Sequence, residues 1–300
     1  MNDYALGIDT GGTFTDGVIY DLTRGRVRGK TKVITTRHNL ALAVQRCLDD
    51  LLRGEGVEEA VAGSLRMVSL STTLATNAIV EGQGAEVGLL LIGRPLEREV
   101  PTAHVAALEG GCDIKGRVTR PVDLREAGRV VDDLRGKVEA FAVSGYMSIR
   151  NPEQELAVRN LVRERTGLPA VCAHQLSGDL GMYERTVTSV LNARLIPLVT
   201  RLIDAVRDCL AERRIQAPIM VVKGDGSLIS ENTARERPVE TVLSGPAASM
   251  VGATVLSGEA DGLVVDIGGT TTDIAAIHRG APSLNEEGAT VGGWLTRVRA

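Results

Sequence analysis

The sequence predicts an α/β fold of two lobes, with mixed sheets flanked by helices, and three observations carry that reading. Apolar runs of strand length alternate with segments of helical periodicity. Alanine, valine, leucine and glycine are plentiful while aromatic residues make up only 2%, which suits a sheet covered by helices and approached closely by backbone turns. An octet, Asp-x-Gly-Gly-Thr-x-Thr-Asp, occupies residues 9–16 and recurs at 266–273, each time between two apolar strands.

Taken in order, residues 4–8, 17–20 and 27–34 read as three strands that open the chain. Residues 40–52 carry apolar side chains at helical spacing and stop at Gly54. A strand at 66–70, a helix over 72–80 closed by Gly82, and a buried strand at 87–92 follow. Between 94 and 135 the pattern weakens, broken by Pro95, Pro101, Pro121 and Gly110-Gly111, and is read as an insertion on the first lobe. A strand resumes at 138–143, and Asn151-Pro152 opens a helix with Glu153 and Glu155 in its first turn, favourable at the positive end of the helix dipole. The long amphipathic stretch 182–214, which Pro197 should kink or divide, reads as the linker between lobes. Strands at 219–222, 263–265 and 274–277 and a small-residue helix opened by Ser244-Gly245-Pro246 complete the pattern. The expected domains are a first lobe over 1–180 with its insertion at about 94–135, and linker helices plus an incomplete second lobe over 181–300.

Composition excludes several classes. A formal net charge of -4 without any basic run argues against a nucleic-acid partner. Cys47, Cys112, Cys172 and Cys209 form no close pair, so zinc, iron–sulfur and dithiol chemistry are not indicated, and the thiols read as reduced and mostly buried. No uninterrupted apolar stretch approaches the ~20 residues of a membrane span, and an opening that contains Asp3 and Asp9 does not read as a signal peptide. A cytoplasmic protein with no membrane association is expected. His38, His104, His174 and His278 show no metal-ligand spacing.

The octets carry the chemistry. Asp9-Thr10-Gly11-Gly12-Thr13-Phe14-Thr15-Asp16 and Asp266-Ile267-Gly268-Gly269-Thr270-Thr271-Thr272-Asp273 match at six of eight positions. Paired glycines permit positive backbone angles and leave out the Cβ atoms that would hold a phosphate away, so exposed amides can point at its oxygens. Thr13 and Thr270 add hydroxyls, while Asp9 and Asp266, at strand ends, are placed to hold Mg²⁺ directly or through water. Two such hairpins would grip one triphosphate from both sides. The cofactor-binding set is therefore Gly11, Gly12, Thr13, Phe14, Thr15, Gly268, Gly269, Thr270 and Thr271, with Gly245 at a helix terminus aimed at anionic oxygens. Each octet could instead be a plain glycine-rich hairpin, though the repeat in one setting argues otherwise. Neither a Walker A sequence nor a dinucleotide fingerprint stands at a strand-to-helix turn. The segment 71–78 places Thr72, Thr73, Thr76 and Asn77 at a strand-to-helix junction, more polar groups than one cap requires. Asp9, Asp266, Asp16, Thr73 and Asn77 are the catalytic candidates. For Ser244 an N-cap is an equally open reading, while residues 223–227 read as a simple turn first and as charged lining of the cleft floor second.

On Gly7 to Asp16, Ser71-Thr72-Thr73-Leu74-Ala75-Thr76-Asn77-Ala78-Ile79, Ser244-Gly245-Pro246-Ala247-Ala248-Ser249 and Asp266 to Asp273, the chain resembles the hydantoinase/oxoprolinase family, A-type subunit, of the sugar kinase, Hsp70 and actin superfamily. The resemblance implies an actin-like (ribonuclease H-like) ATPase fold with duplicated lobes, ATP and Mg²⁺ as cofactors, and the opening of a cyclic amide or imide after ATP phosphorylates its carbonyl oxygen. Some relatives are instead implied to be ATP-dependent ketone carboxylase subunits. It also implies a B-type partner subunit, or a homo-oligomer, and a chain continuing past Ala300, so weak or absent ATPase is expected of these 300 residues alone. A small-molecule kinase and a non-catalytic ATP-driven reactivase are the other readings of the same fold.

Overall fold

The computed structural model describes residues 3–36, 40–53, 61–267, 272–285 and 287–299. The chain begins with β1 (Tyr4–Thr10), β2 (Phe14–Asp21), β3 (Arg26–Ile34), α1 (Leu40–Leu51), β4 (Leu65–Thr72), α2 (Leu74–Val80) and β5 (Val87–Ile92). Next come β6 (His104–Leu108), β7 (Gly111–Cys112), β8 (Val118–Arg120), α3 (Leu124–Leu134), β9 (Ala140–Gly145), α4 (Glu153–Thr166), β10 (Ala170–Cys172) and α5 (Met182–Glu212). The last third holds β11 (Ile219–Val222), β12 (Leu228–Ser230), α6 (Glu231–Glu236) and α7 (Ser244–Ser257). It ends in β13 (Gly262–Ile267), β14 (Thr272–His278), β15 (Ala281–Pro282), β16 (Thr290–Val291) and β17 (Trp294–Leu295).

Two compact units divide these elements. One joins Met1–Asn77 with Val199–Glu286 and Arg299–Ala300; the other joins Ala78–Leu198 with Glu287–Val298. The expected boundary near residue 180 falls inside the second unit, because strands distant in sequence pair in one sheet. The division instead cuts α5 beside Pro197, which the helix carries in its interior without ending.

The first unit is organised by a six-stranded sheet, order β12-β11-β4-β1-β2-β3, in which β1 runs antiparallel to β2 and parallel to β4. Period-2 alternation sends Tyr4, Leu6, Ile8, Val68 and Leu70 to one face. There they meet Val44, Cys47 and Leu48 of α1 and Val199, Leu202 and Val206 of α5 in one core. Asp9 and Ser71, partners across the β1–β4 ladder, face the other way. A separate sheet, β13-β14-β15, belongs to the same unit.

The second unit holds a parallel sheet, order β10-β9-β5-β6. Its central strands are buried throughout, as expected when both faces are covered. α3 and α4 supply Val131, Val158 and Val162 to one face; Val190 and Ala193 of α5 lie on the other. Residues 94–135 are thus no appendage: β6 extends this sheet, and Ala127 and Val131 of α3 sit in its core. Short elements punctuated by proline and glycine had hidden their periodicity. By length and composition α5 alone among the described helices could cross a bilayer, but 67% of its apolar window is buried inside the protein, the behaviour of a core helix.

Candidate functional site

The two octets adopt the same register. Asp9 pairs with Asp16 across β1–β2, and Asp266 with Asp273 across β13–β14. In the first, Gly11 N–H donates to Phe14 O at 2.9 Å, which closes the turn. A Cβ on Gly11 would lie 2.9 Å from that same oxygen, too close for any side chain. Gly11 therefore serves close approach and not, as expected, a positive φ, since it is absent from the left-handed positions. Gly268, Gly269, Thr270 and Thr271 lie outside the described residues, so the second turn is placed only by its flanking strands.

Asp9 is where the first unit concentrates unmet polarity. Seven buried side-chain polar atoms lack a hydrogen-bond partner among the described residues, and Asp9 Oδ1, Ser71 Oγ and Thr10 Oγ1 are three of them. Asp9 and Ser71 stand side by side at the ends of parallel strands, with Thr10 next along β1 on the core face. Burial raises the Asp9 carboxyl above the ordinary 3.8, and the Asp16 and Asp266 carboxylates raise it further. The Ser71 hydroxyl and Lys32 offset part of this, although neither Asp9 Oδ1 nor Ser71 Oγ makes a hydrogen bond of ordinary geometry. A cavity of about 360 Å³ opens here, lined by Gly7, Asp9, Asp16, Ser69, Ser71 and Ala248 among others. Three carboxylates, Asp9, Asp16 and Asp266, against the two ammonium groups of Lys30 and Lys32 leave a negative surplus that suits a hard divalent cation. The oxygen donors of Asp9 and Ser71, unpartnered and adjacent, fit Mg²⁺ or a magnesium-chelated phosphate.

The remaining candidates separate clearly. Asp16 forms a cross-strand ion pair with Lys32 at 2.9 Å, and the same ammonium lies 5.0 Å from the Phe14 ring centroid. Thr13 and Phe14 are exposed on the turn. Thr15 is a correction, for its side chain is fully buried and bonded to Thr35 Oγ1 at 2.9 Å. Alternation along β2 turns it away from Asp16, so only its backbone is available to a ligand. Asp266 accepts from Ser249 Oγ of α7 at 2.7 Å.

The Ser71–Ile79 and Ser244–Ser249 motifs prove to be fastened to each other. Ser244 is no N-cap: Leu243 holds that position in the left-handed region, with φ 61°. Instead Ser244 Oγ donates to Thr72 O (2.9 Å) and accepts from Thr72 N (3.3 Å), while Thr76 Oγ1 accepts from Leu243 N at 2.9 Å. Thr72 Oγ1 caps the turn into α2 through Leu74 N and ties β4 to Thr10 O. Of the catalytic candidates here, Thr73 and Asn77 pair with one another (Oγ1 to Nδ2, 3.3 Å) on the partly exposed side of α2. A Cβ on Gly245 would stand 3.4 Å from Thr73 Cγ2, a tight contact between the motifs. Ser244→Ala should cost about 1–3 kcal/mol in chemical denaturation, because Thr72 N–H and C=O lose a buried partner.

Residues 223–227 are a turn in which Asp225 accepts from Ser227 N, Ser227 Oγ and Lys223 Nζ, and Glu240 ties it down through Gly224 N (2.9 Å) and Lys223 Nζ (3.3 Å). Sequence reasoning missed Ser71 and Ser249 as individual site residues. The signal for Ser71 was available in the matched lengths of β1 and β4, which end together at Thr10 and Thr72. It also missed Glu155, Cys172 and His174 in the second unit, whose ligand-type atoms lie within 4.8 Å of one another. The Glu155 carboxylate already accepts from Gly145 N (2.6 Å), His174 N (3.2 Å) and His174 Nδ1 (2.5 Å), which makes it a structural anchor. Of the histidines, His278 pairs with Asp261, and His38 lies outside the described residues.

All four cysteines are free. Burial first, and nearby carboxylates second, push Cys47 and Cys172 up to about 12, and burial takes Cys209 to about 11. A thiol-specific disulfide reagent at pH 8 should accordingly label Cys112 in the native protein and the other three only on unfolding.

Comparison with known proteins places this geometry. A family model described as the hydantoinase/oxoprolinase N-terminal region matches residues 5–166, and one described as hydantoinase/oxoprolinase matches residues 185–300. Caprolactamase subunit alpha of Pseudomonas jessenii is 30% identical over 95% of this chain and 45% of its own length. The crystal structure of that organism's ATP-dependent caprolactamase superposes with a TM-score of 0.76, covering 91% of this chain and 43% of the other, at 30% identity. Acetophenone carboxylase gamma subunit of Aromatoleum aromaticum is 29% identical over 91% of this chain and 42% of its own. Nucleotide-free acetone carboxylase, 23% identical, shares the fold over the whole chain and 47% of its own, with a TM-score of 0.84. The chain thus spans less than half the length of the relatives it matches. The fold class expected from the sequence, mixed sheets flanked by helices as in actin-like ATPases, holds.

Proposed function

Because the chain belongs to the hydantoinase/oxoprolinase family, we propose that it carries the ATP-binding part of an enzyme that opens a cyclic amide or imide by phosphorylating its carbonyl oxygen. The carrying observation is the unpartnered pair Asp9 Oδ1 and Ser71 Oγ beside the Gly11 turn, in a pocket with surplus negative charge. Asp9 and Ser71 would hold magnesium, directly or through water, with Asp266 nearby; the Gly11 N–H is committed to Phe14 O, so the Gly12–Thr13 backbone and the exposed Thr13 hydroxyl would take phosphate oxygens. Such a site supplies positioning and charge stabilisation, most of what phosphoryl transfer requires of a protein. Phosphorylation makes the carbonyl carbon of an unstrained amide electrophilic: water adds there, the ring C–N bond breaks as the nitrogen takes up a proton, and the acyl phosphate that remains is hydrolysed to the acid and free phosphate.

Ketone carboxylation is the second reading, favoured by the similarity to the acetophenone carboxylase gamma subunit. Relatives on both sides are named as subunits, which supports a partner chain for this one. Leu263, Val265, Ile267 and Ile274 on β13 and β14 are more than half exposed, so the β13–β14 hairpin suits cover by further polypeptide.

Phosphate release measured on the protein with its partner chain, against hydantoins, 5-oxoproline, lactams and aryl ketones, discriminates the readings. A ring-opened acid with free phosphate supports the first, a carboxylated ketone the second, and phosphate retained on a stable product indicates a kinase. Mg-ATP should raise the melting temperature of the 300-residue chain less when it is alone than when its partner chain is bound. A shift as large without the partner refutes the need for that cover.

A further inference from the structure

Ser71, Asp9, Asp16 and Lys32 form one row across neighbouring strands of the first unit. The β4–β1 ladder pairs Ser71 with Asp9, the β1–β2 ladder pairs Asp9 with Asp16, and the β2–β3 ladder pairs Asp16 with Lys32. Cross-strand partners share a face, so the whole row stands on the side of the sheet turned away from α1.

The two ends of the row differ. Asp9 Oδ1 and Ser71 Oγ make no hydrogen bond among the described residues, whereas Asp16 has both carboxylate oxygens on Lys32 Nζ, at 2.9 and 3.1 Å. A carboxylate held in this way is closed to a divalent cation while the ammonium stays. Stability does not account for the pair, because the Lys32 and Asp16 side chains are 57% and 45% exposed and a water-exposed ion pair adds little to folding. Lys32 also leans on the glycine turn. Its ammonium lies 5.0 Å from the ring centroid of Phe14, which follows Thr13 at the start of β2, and Thr35, just past β3, donates its N–H to Thr13 O at 2.9 Å. One cation is thus placed between the carboxylate beside the magnesium ligands and the turn that would meet phosphate. Lys30, two residues earlier on the same face, stands opposite Val18 and faces no carboxylate across the ladder.

We propose that Lys32 is a resident counter-ion with two positions. Without nucleotide it rests on Asp16 and closes the site to a divalent cation arriving alone; with Mg-ATP it donates to phosphate oxygens and releases Asp16 to the magnesium or to a water on it. The exchange keeps every charge paired, since magnesium replaces the ammonium at Asp16 as phosphate replaces Asp16 at the ammonium. This role rests on the reading of Asp9 and Ser71 as cation ligands, and it makes β3 part of a site otherwise built on β1, β2 and β4.

Lys32→Met keeps the aliphatic stem and removes the charge. Mn²⁺ titrated without nucleotide into the 300-residue chain, followed by the electron paramagnetic resonance of the free ion, should bind about tenfold tighter in the variant, because a repelling ammonium is gone and Asp16 is released. The Mg-ATP concentration that gives half of the full thermal shift should rise about tenfold, the loss of one charge-assisted contact. A structural ion pair cannot produce effects of opposite sign. Lys32→Arg should bring both values back toward the parent, and Asp16→Asn added to Lys32→Met should abolish the gain in Mn²⁺ affinity. The ligand-free melting temperature of Lys32→Met should stay within a few degrees of the parent. If Lys32→Met alters neither affinity, or moves both in the same direction, Lys32 is a surface ion-pair partner and this role is overturned while the cation site stands. A parent chain that binds neither Mn²⁺ nor Mg-ATP overturns the cation site, and the role with it.

Discussion

Asp9→Asn is expected to lower ATP-dependent phosphate release by a factor on the order of 10² to 10³ while raising the melting temperature of the nucleotide-free chain. Both effects come from one carboxyl group. Burial and the Asp16 and Asp266 carboxylates raise its proton affinity in the folded state. A carboxyl whose folded value lies above its unfolded one binds more protons native than unfolded, so stability is highest below the ordinary 3.8 and falls as pH rises through the raised value. At neutral pH the ionised group is therefore a net cost to the empty protein, and the neutral amide removes that cost. The same substitution deletes the charge that would hold magnesium, so the thermal shift produced by Mg-ATP should shrink or vanish. Melting temperatures of parent and variant measured from pH 4 to 8, with and without Mg-ATP, check both halves. The gap between the nucleotide-free proteins should close toward pH 4. If Asp9→Asn is instead less stable at neutral pH and shifts normally with Mg-ATP, Asp9 is a structural residue and the cation reading fails.

Much of this arrangement could be read before any coordinates, and the reason is local. Strand, glycine turn and strand follow one another directly in sequence, so the repeated octet announced two hairpins, and the structure adds the register that pairs Asp9 with Asp16 and Asp266 with Asp273. What stayed hidden depends on distant partners. Ser244 looks like a cap in sequence because nothing nearby announces that Thr72, 172 residues away, will take both its hydrogen bonds. Ser71 acquires meaning only when β4 lies parallel to β1. The units cross the chain in the same way, since β11 joins β4 and draws residues after 199 back to the opening strands. Thr15 was different. Its alternation with Asp16 across a strand already forbade both side chains from facing one ligand, and that rule was available from the start.

Two glycines six residues apart should respond to substitution in opposite ways, and the contrast separates site from scaffold. On Gly17 a Cβ would fall 2.2 Å from Cys47 Sγ and 2.8 Å from Leu51 Cδ1, between β2 and α1 in the middle of the core. Overpacking there forces α1 outward, so Gly17→Ala should cost about 1–3 kcal/mol and lower the melting temperature by roughly 2–10 °C. Whatever fraction remains folded should lose far less of the Mg-ATP shift than Gly11→Val, because Gly17 borders the acidic cavity only through its backbone and the added Cβ points into the core. On Gly11 the obstacle is Phe14 O, a backbone atom that cannot yield without breaking the Gly11 N–H bond to the same carbonyl. That turn projects from the end of the sheet, beyond the last core side chain of β1, so Gly11→Val should leave the melting temperature within a few degrees of the parent. Its amides would no longer converge, and the Mg-ATP shift should be lost. Paired melting curves and nucleotide titrations on the two variants decide the matter. Should Gly11→Val bind nucleotide normally, the hairpin is a turn and nothing more, and the phosphates must be held elsewhere.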